Sequence, residues 1–392
     1  GAQNRHNRAT KFTKRSLMNK PDRTTFTPAR PVDLHRVQTG ALVIIAFAVV
    51  LFLLVQARFM LISLATAIIL FSLTSDVITF ISRLRIGPAR IPSFVATVAA
   101  MILIATALLT LTSILLGQVN TVLVTTLSYA ERAPSAVASL FSFMGPGTQE
   151  AIFNSLKSVD ASRYLRTAAG QAGNITQGTV LVILFVGFLF GERIWFGTKL
   201  NNFVGDSVQA DRISRIITSI IHRVNYYLLV KTMISAITGA MVYVLAKMFG
   251  LELATALGVI TFVLNFIPNV GSIIATTLIT LVAHVQAGDA TMTAIIFVIA
   301  GSIQFLNGNI IDPLLMGRAL RLSAFGIILS LAFWGAVWGI PGMFLSVPIM
   351  VMLLVVCSHV SALRPLAIFL SREGLPESKK MLDHSTQKDM FN

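Results

Sequence analysis

The chain is poor in charge. Lys, Arg, Asp and Glu supply only 12% of its 392 residues, about half the roughly 25% of a soluble globular domain. That scarcity excludes a soluble fold for most of the length. A single cysteine, Cys357, excludes an intrachain disulfide framework. Histidine is thinly spread as His6, His35, His222, His284, His359 and His384. No pair falls at HExxH or another ligand spacing, so no metal site is expected. No GxxxxGK[ST] run occurs, which removes ATP-driven transport within the chain. Nothing resembles a nucleophile constellation either, and the expectation is a protein that is not an enzyme and needs no cofactor.

What the chain has is apolar length. Hydrophobic residues make up 55% and the mean hydropathy is +0.79. Apolar runs recur and several approach the roughly 20 residues that cross a bilayer. The pattern predicts an all-α polytopic membrane protein with about 8–10 membrane segments, some of them broken or re-entrant. The balance of 31 Lys+Arg over 16 Asp+Glu would raise nucleic acid as a partner in a soluble protein. Here it marks loops held in the cytoplasm and a surface against anionic lipid, so membrane lipids are expected and nucleic acid is not.

Residues 1–36 read as a basic, disordered cytoplasmic arm, and 37–116 as N-terminal membrane helices, with Arg83, Arg85 and Arg90 in a cytoplasmic loop. Residues 117–175 have mixed charge and read as a small helical extracytoplasmic segment. Residues 176–370 form the core, and 371–392 a cytoplasmic tail. Within the core, Ile213, Ile216, Ile217, Ile220, Ile221 and Val224 recur at helical spacing. This predicts an amphipathic helix over about 205–226 on the cytoplasmic membrane surface. With both termini inside, the crossings are even in number: ten if every run spans, eight if one pair is a re-entrant hairpin.

Three polar interruptions stand out in the second half. "LNFIPNVGSIIA" places Asn265, Pro268, Asn269 and Gly271 at the waist of an apolar run. Proline removes an amide donor, and a helix broken in hydrocarbon needs polar partners for its freed backbone groups. Two readings stay open, a simple kink or a discontinuous helix whose ends line a substrate path. "IQFLNGNIIDPLLMGRALRLS" carries Gln304, Asn307, Asn309 and Asp312, then Pro313 and Arg318. Gln304, Asn307 and Asp312 fall on one helical face, while the arginines favour a cytoplasmic connector. "FWGAVWGIPGMFLSVPIM" makes another interrupted hairpin, with Trp334 and Trp338 as interfacial anchors.

Taken jointly and in this order, "LNFIPNVGSIIA", "GNIIDPLLMGRALRLS" and "WGIPGMFLSVPIM" resemble the AI-2E (autoinducer-2 exporter) family over about residues 37–370. "LSA" at 322–324, where many members have a proline, is similar to the branch that contains the autoinducer-2 exporter. The resemblance implies a homo-oligomeric bacterial inner-membrane exporter of a small polar signal used in quorum sensing, autoinducer-2 or a similar hydroxyl-rich metabolite. Asn265, Asn269, Gln304, Asn307 and Asn309, with Pro268 and Gly271, are the expected substrate path, since amides both donate and accept. A broken-helix N-terminus would favour an anionic, borate-bearing form. The alternative is a sodium (cation)/proton antiporter, which needs a buried titratable group. Asp312, with Pro313 and Arg318, is then the candidate for coupling or gating.

Overall fold

The computed structural model describes residues 34–83, 85–86, 89–90, 92–129, 132–141, 144–157, 161–316, 322–372 and 374. Most of the basic arm, Arg318 and the tail from 375 on lie outside these. The first unit, ending at Phe52, holds most of α1 (Leu34–Gln56), an apolar helix exposed along 38–50.

In the second unit, α2 (Arg58–Arg83) leads through a short antiparallel ladder, Arg85–Ile86 with Ala89–Arg90, into α3 (Ser93–Tyr129). After α4 (Ala133–Leu140) and α5 (Pro146–Lys157), α6 (Ala161–Arg193) returns to pack on α2 and α3. Ala67, Ala96 and Ala100 let these three helices approach, and Val182, Val186 and Phe190 fill the space between them.

The run of isoleucines forms no helix of its own. It is the first half of α8 (Ser207–Met248), which follows the short α7 (Phe196–Val204). Only a αL glycine and an N-cap separate α7 from α8: Gly205 at φ 71°, then Asp206 accepting from Val208 N. With no proline or glycine to stop it before Gly239, the amphipathic stretch runs straight on into apolar sequence.

A second core gathers α8 with α9 (Ala254–Leu264), α10 (Val270–Ala287) and α11 (Ala290–Leu306) around Val242, Leu257, Ile279, Ala283 and Ile296. Glycine sets the closest approach. A Cβ on Gly239 would stand 2.7 Å from Gly258 O, and one on Gly258 would stand 2.9 Å from Gly239 O. Further along, a π-helix (Asn307–Ile311) passes into α12 (Asp312–Met316). Finally come α13 (Ala324–His359) and α14 (Arg364–Leu370).

Among the described residues, seven helices are long and apolar enough to cross a membrane. The chain is an all-α polytopic membrane protein. α9 is too short for a crossing: its 11 residues rise about 16 Å against a hydrocarbon core of about 30 Å.

α4 and α10 are joined by a buried histidine. His284 Nε2 lies 2.9 Å from the Ala136 carbonyl, which can only accept, so that nitrogen donates; Ser139 Oγ is 3.0 Å away. Its Nδ1 meets Thr293 Oγ1 on α11 at 3.0 Å. Nearby, Tyr129 Oη donates to Glu252 Oε2 at 2.8 Å, and Gln286 bridges Gly250 O and Glu252 N. Burial, then the Glu252 carboxylate, pushes the Tyr129 phenol up to about 12 from 10. The neutral phenol is the form the fold favours, so its stabilisation is complete below pH 10 and is lost as pH rises from 10 through 12. Absorbance titration at 295 nm should show one phenolate forming near pH 12 that Tyr129→Phe removes. Glu252→Gln should lower that transition only in part, because burial remains; a Tyr129 titrating at 10 in the folded protein would refute the contact.

Candidate functional site

Pro268 does not kink a helix. It sits in a reversal. Leu264 and Gly271 would be about 10 Å apart along a straight helix, yet a Cβ on Gly271 would overlap the Leu264 carbonyl oxygen. The chain therefore doubles back between α9 and α10. Its tip is a γ-turn centred on Asn269, at φ 60° and ψ −50°, with Val270 N donating to Pro268 O at 2.6 Å. This turn is rare and strained, and Asn tolerates positive φ better than most residues.

α13 reverses in the same way. Gly339, at φ 67° and ψ −144°, separates arms 324–338 and 340–359. Ser330 Oγ donates to Ser346 O across them at 2.9 Å, and Gly342 packs on the Trp334 carbonyl. Phe266 at the first tip stacks on Phe344 beyond the second, with centroids 4.5 Å apart. Trp338 is buried rather than interfacial, donating Nε1–H to Leu54 O at 3.0 Å.

The middle interruption is a widened helical turn. Pro313 has no amide to give, and its ring displaces the preceding turn. The chain answers with a π-helix over Asn307–Ile311, whose longer hydrogen-bonded ring takes in an extra residue. That residue keeps Gln304, Asn307 and Asp312 facing inward while 308–311 are exposed.

These elements converge on a buried polar seam. Asn307 Nδ2 donates to Asn265 Oδ1 at 3.2 Å, and Asn265 Nδ2 donates to Ser235 Oγ on α8 at 3.1 Å. All three residues are buried, as are Thr261 and Thr238 one turn away. Gln304 lies one turn before Asn307 and is also buried. One turn before Ser235, Lys231 Nζ reaches Asp312 Oδ2 at 2.7 Å, with side chains 4% and 21% exposed. Beside the seam, a groove of about 170 Å³ is lined by Val230, Met233, Ile234, Ile237, Asn307, Ile311 and Leu315.

The structure thus brings together Asn265, Gln304, Asn307 and Asp312 from the sequence-derived set. Asn269 is exposed at its tip, and Asn309 is exposed with its amide turned back onto Phe305 O. Pro268 and Gly271 shape the turn, Pro313 the widened helix, and Arg318 lies outside the described residues. Sequence reasoning missed Lys231 and Ser235. The signal was present, since Lys231, Ser235, Thr238 and Gly239 mark one polar, small-residue face of an otherwise apolar helix.

A family model described as AI-2E family transporter matches residues 42–362. Over 214 residues the chain is 33% identical to the AI-2 transport protein TqsA of Escherichia coli (strain K12), covering 54% of this chain and 60% of that protein. A putative transport protein of Borreliella burgdorferi is 32% identical over 227 residues, 58% of this chain and 62% of the relative. Another, from Haemophilus influenzae, is 34% identical over 190 residues, 48% and 53% respectively. Each match covers less than two thirds of the relative's own length.

Proposed function

The chain belongs to the AI-2E transporter family, and we propose that it exports a small, hydroxyl-rich polar signal, autoinducer-2 or a similar metabolite, across a bacterial inner membrane. Both termini lie in the cytoplasm and the polar seam is the substrate path. One observation carries this reading: the buried hydrogen-bond chain Asn307–Asn265–Ser235, which joins a helix reversal to a π-helix inside a bundle of apolar helices. Polar side chains inside a membrane protein are expensive even when paired, and they mark substrate paths. They offer donors and acceptors without a fixed charge, as a neutral polar cargo requires. The relatives agree at the level of class, since TqsA is named an AI-2 transport protein.

Reconstituted vesicles test the assignment. Asn265→Ala and Asn307→Ala should each slow autoinducer-2 movement about tenfold, equivalent to roughly 1.4 kcal/mol. Asn309→Ala, facing away, should leave the rate unchanged. Wild-type rates in both seam variants would defeat the reading.

A further inference from the structure

The donors and acceptors of the seam do not balance. Among the described residues, two buried side-chain atoms have no hydrogen-bond partner, Gln304 Oε1 and Asp312 Oδ1. Both are acceptors, and no donor buried to the same degree is left over with them. Gln304 is only 5% exposed. An unpaired buried acceptor bears the full cost of its lost hydration, which a ligand bringing a hydrogen to it would recover.

The features that would welcome an anion are already engaged. Lys231 is bound to Asp312, so the pair carries no net charge. The start of α10, the broken-helix N-terminus expected to hold an anion, is closed by its own chain: Val270 N donates to Pro268 O and Gly271 N to Ile267 O at 3.1 Å. Asn269 at the N-cap makes no side-chain bond there. A helix N-terminus attracts anions through free amides, and two of the first at this one are spent inside the turn.

We propose that the seam recognises its cargo as a neutral hydrogen-bond donor, a compact polyhydroxylated molecule whose hydroxyls give hydrogen to Gln304 Oε1 and Asp312 Oδ1, and that it discriminates against anionic forms of the same molecule. The inference rests on the reading of the seam as the substrate path. Asp312 lies eight positions after Gln304, about 12 Å of helix, so a small cargo meets the two acceptors in turn. Asn307 stands between them, at the edge of the apolar groove of about 170 Å³. Chemically, the partner is a polyol or sugar-like molecule and not a carboxylate, phosphate or borate ester.

The full chain, reconstituted in phosphatidylethanolamine–phosphatidylglycerol vesicles, separates the outcomes. The probes are autoinducer-2 without borate, the same signal with saturating borate, and the size-matched pair ribitol and ribonate. The expected result is movement of the neutral forms, at least tenfold slower movement of the anionic ones, and a tenfold loss for neutral cargo in Gln304→Met. Faster or equal movement of the borate form overturns the inference while leaving an autoinducer-2 exporter standing. Movement of ribitol over ribonate with no autoinducer-2 movement in either form removes the signal as cargo and upholds the donor rule. Movement of none of the four overturns both.

Discussion

Gly271→Ala and Gly342→Ala should each destabilise the protein by more than about 3 kcal/mol, the upper end of ordinary overpacking. At both positions the new Cβ meets a backbone carbonyl, that of Leu264 or Trp334. A flexible side chain could swing aside, but a carbonyl at a helix end moves only if the reversal opens. Opening it separates α9 from α10, or one arm of α13 from the other. It also pulls Phe266 off Phe344, so the two hairpins should fail together.

Two other glycines calibrate the effect. Gly339 has open space around its Cα but sits at φ 67° and ψ −144°, so alanine there should cost about 1–3 kcal/mol from backbone strain alone. Gly301 lies inside α11 with nothing within 4 Å, and alanine should stabilise it by roughly 0.5–1 kcal/mol through helix propensity. Thermal unfolding in detergent, followed by circular dichroism and size-exclusion, should rank the variants as Gly301→Ala above wild type, then Gly339→Ala, then Gly271→Ala and Gly342→Ala. A Gly271→Ala protein with the wild-type midpoint would show that α9 and α10 do not double back.

How far these features could be read in the sequence depended on whether the signal was local. The reversals at Pro268 and Gly339 are written in short strings of Pro, Gly and Asn, because breaking a helix is a property of the few residues that do it. The inward face shared by Gln304, Asn307 and Asp312 was also legible, since helical periodicity is local. Asn269 and Asn309 were misplaced for the same reason. Both are amides inside an apolar run, and only the γ-turn and the π-helix reveal that they point away from the seam.

Lys231 and Ser235 depend on tertiary register. A lone lysine in "LLVKTMISAITG" looks like a side chain snorkelling to the interface. It becomes a site residue only because Gly239 and Gly258 lock α8 against α9 and set Ser235 opposite Asn265. The amphipathic run of isoleucines misled in the other direction. Its periodicity is helical, but the change from an amphipathic to an apolar pattern looks like a boundary, and the helix runs through it to a length of 42 residues.

Asp312, read from sequence as a lone carboxylate, is one half of an ion pair, and this sets the second large expectation. Asp312→Asn should cost about 3–5 kcal/mol, as removing one partner from a buried pair does, because it leaves the Lys231 ammonium unpaired at 4% exposure. Lys231→Met should cost less than Asp312→Asn, since the carboxylate it strands is 21% exposed and can recruit water. The double variant Lys231→Met/Asp312→Leu should recover most of the loss, because two apolar side chains carry no desolvation penalty and often replace a buried pair without cost. Chemical unfolding of the four proteins in detergent gives the cycle directly. A pair that behaved like a surface salt bridge would show all three variants within about 1 kcal/mol of wild type. Recovery of stability in the double variant isolates the other role of the pair. With the fold restored and both charges gone, any remaining loss in the proposed transport belongs to the two polar groups removed, the Lys231 ammonium and the Asp312 carboxylate, and not to the stability of the bundle.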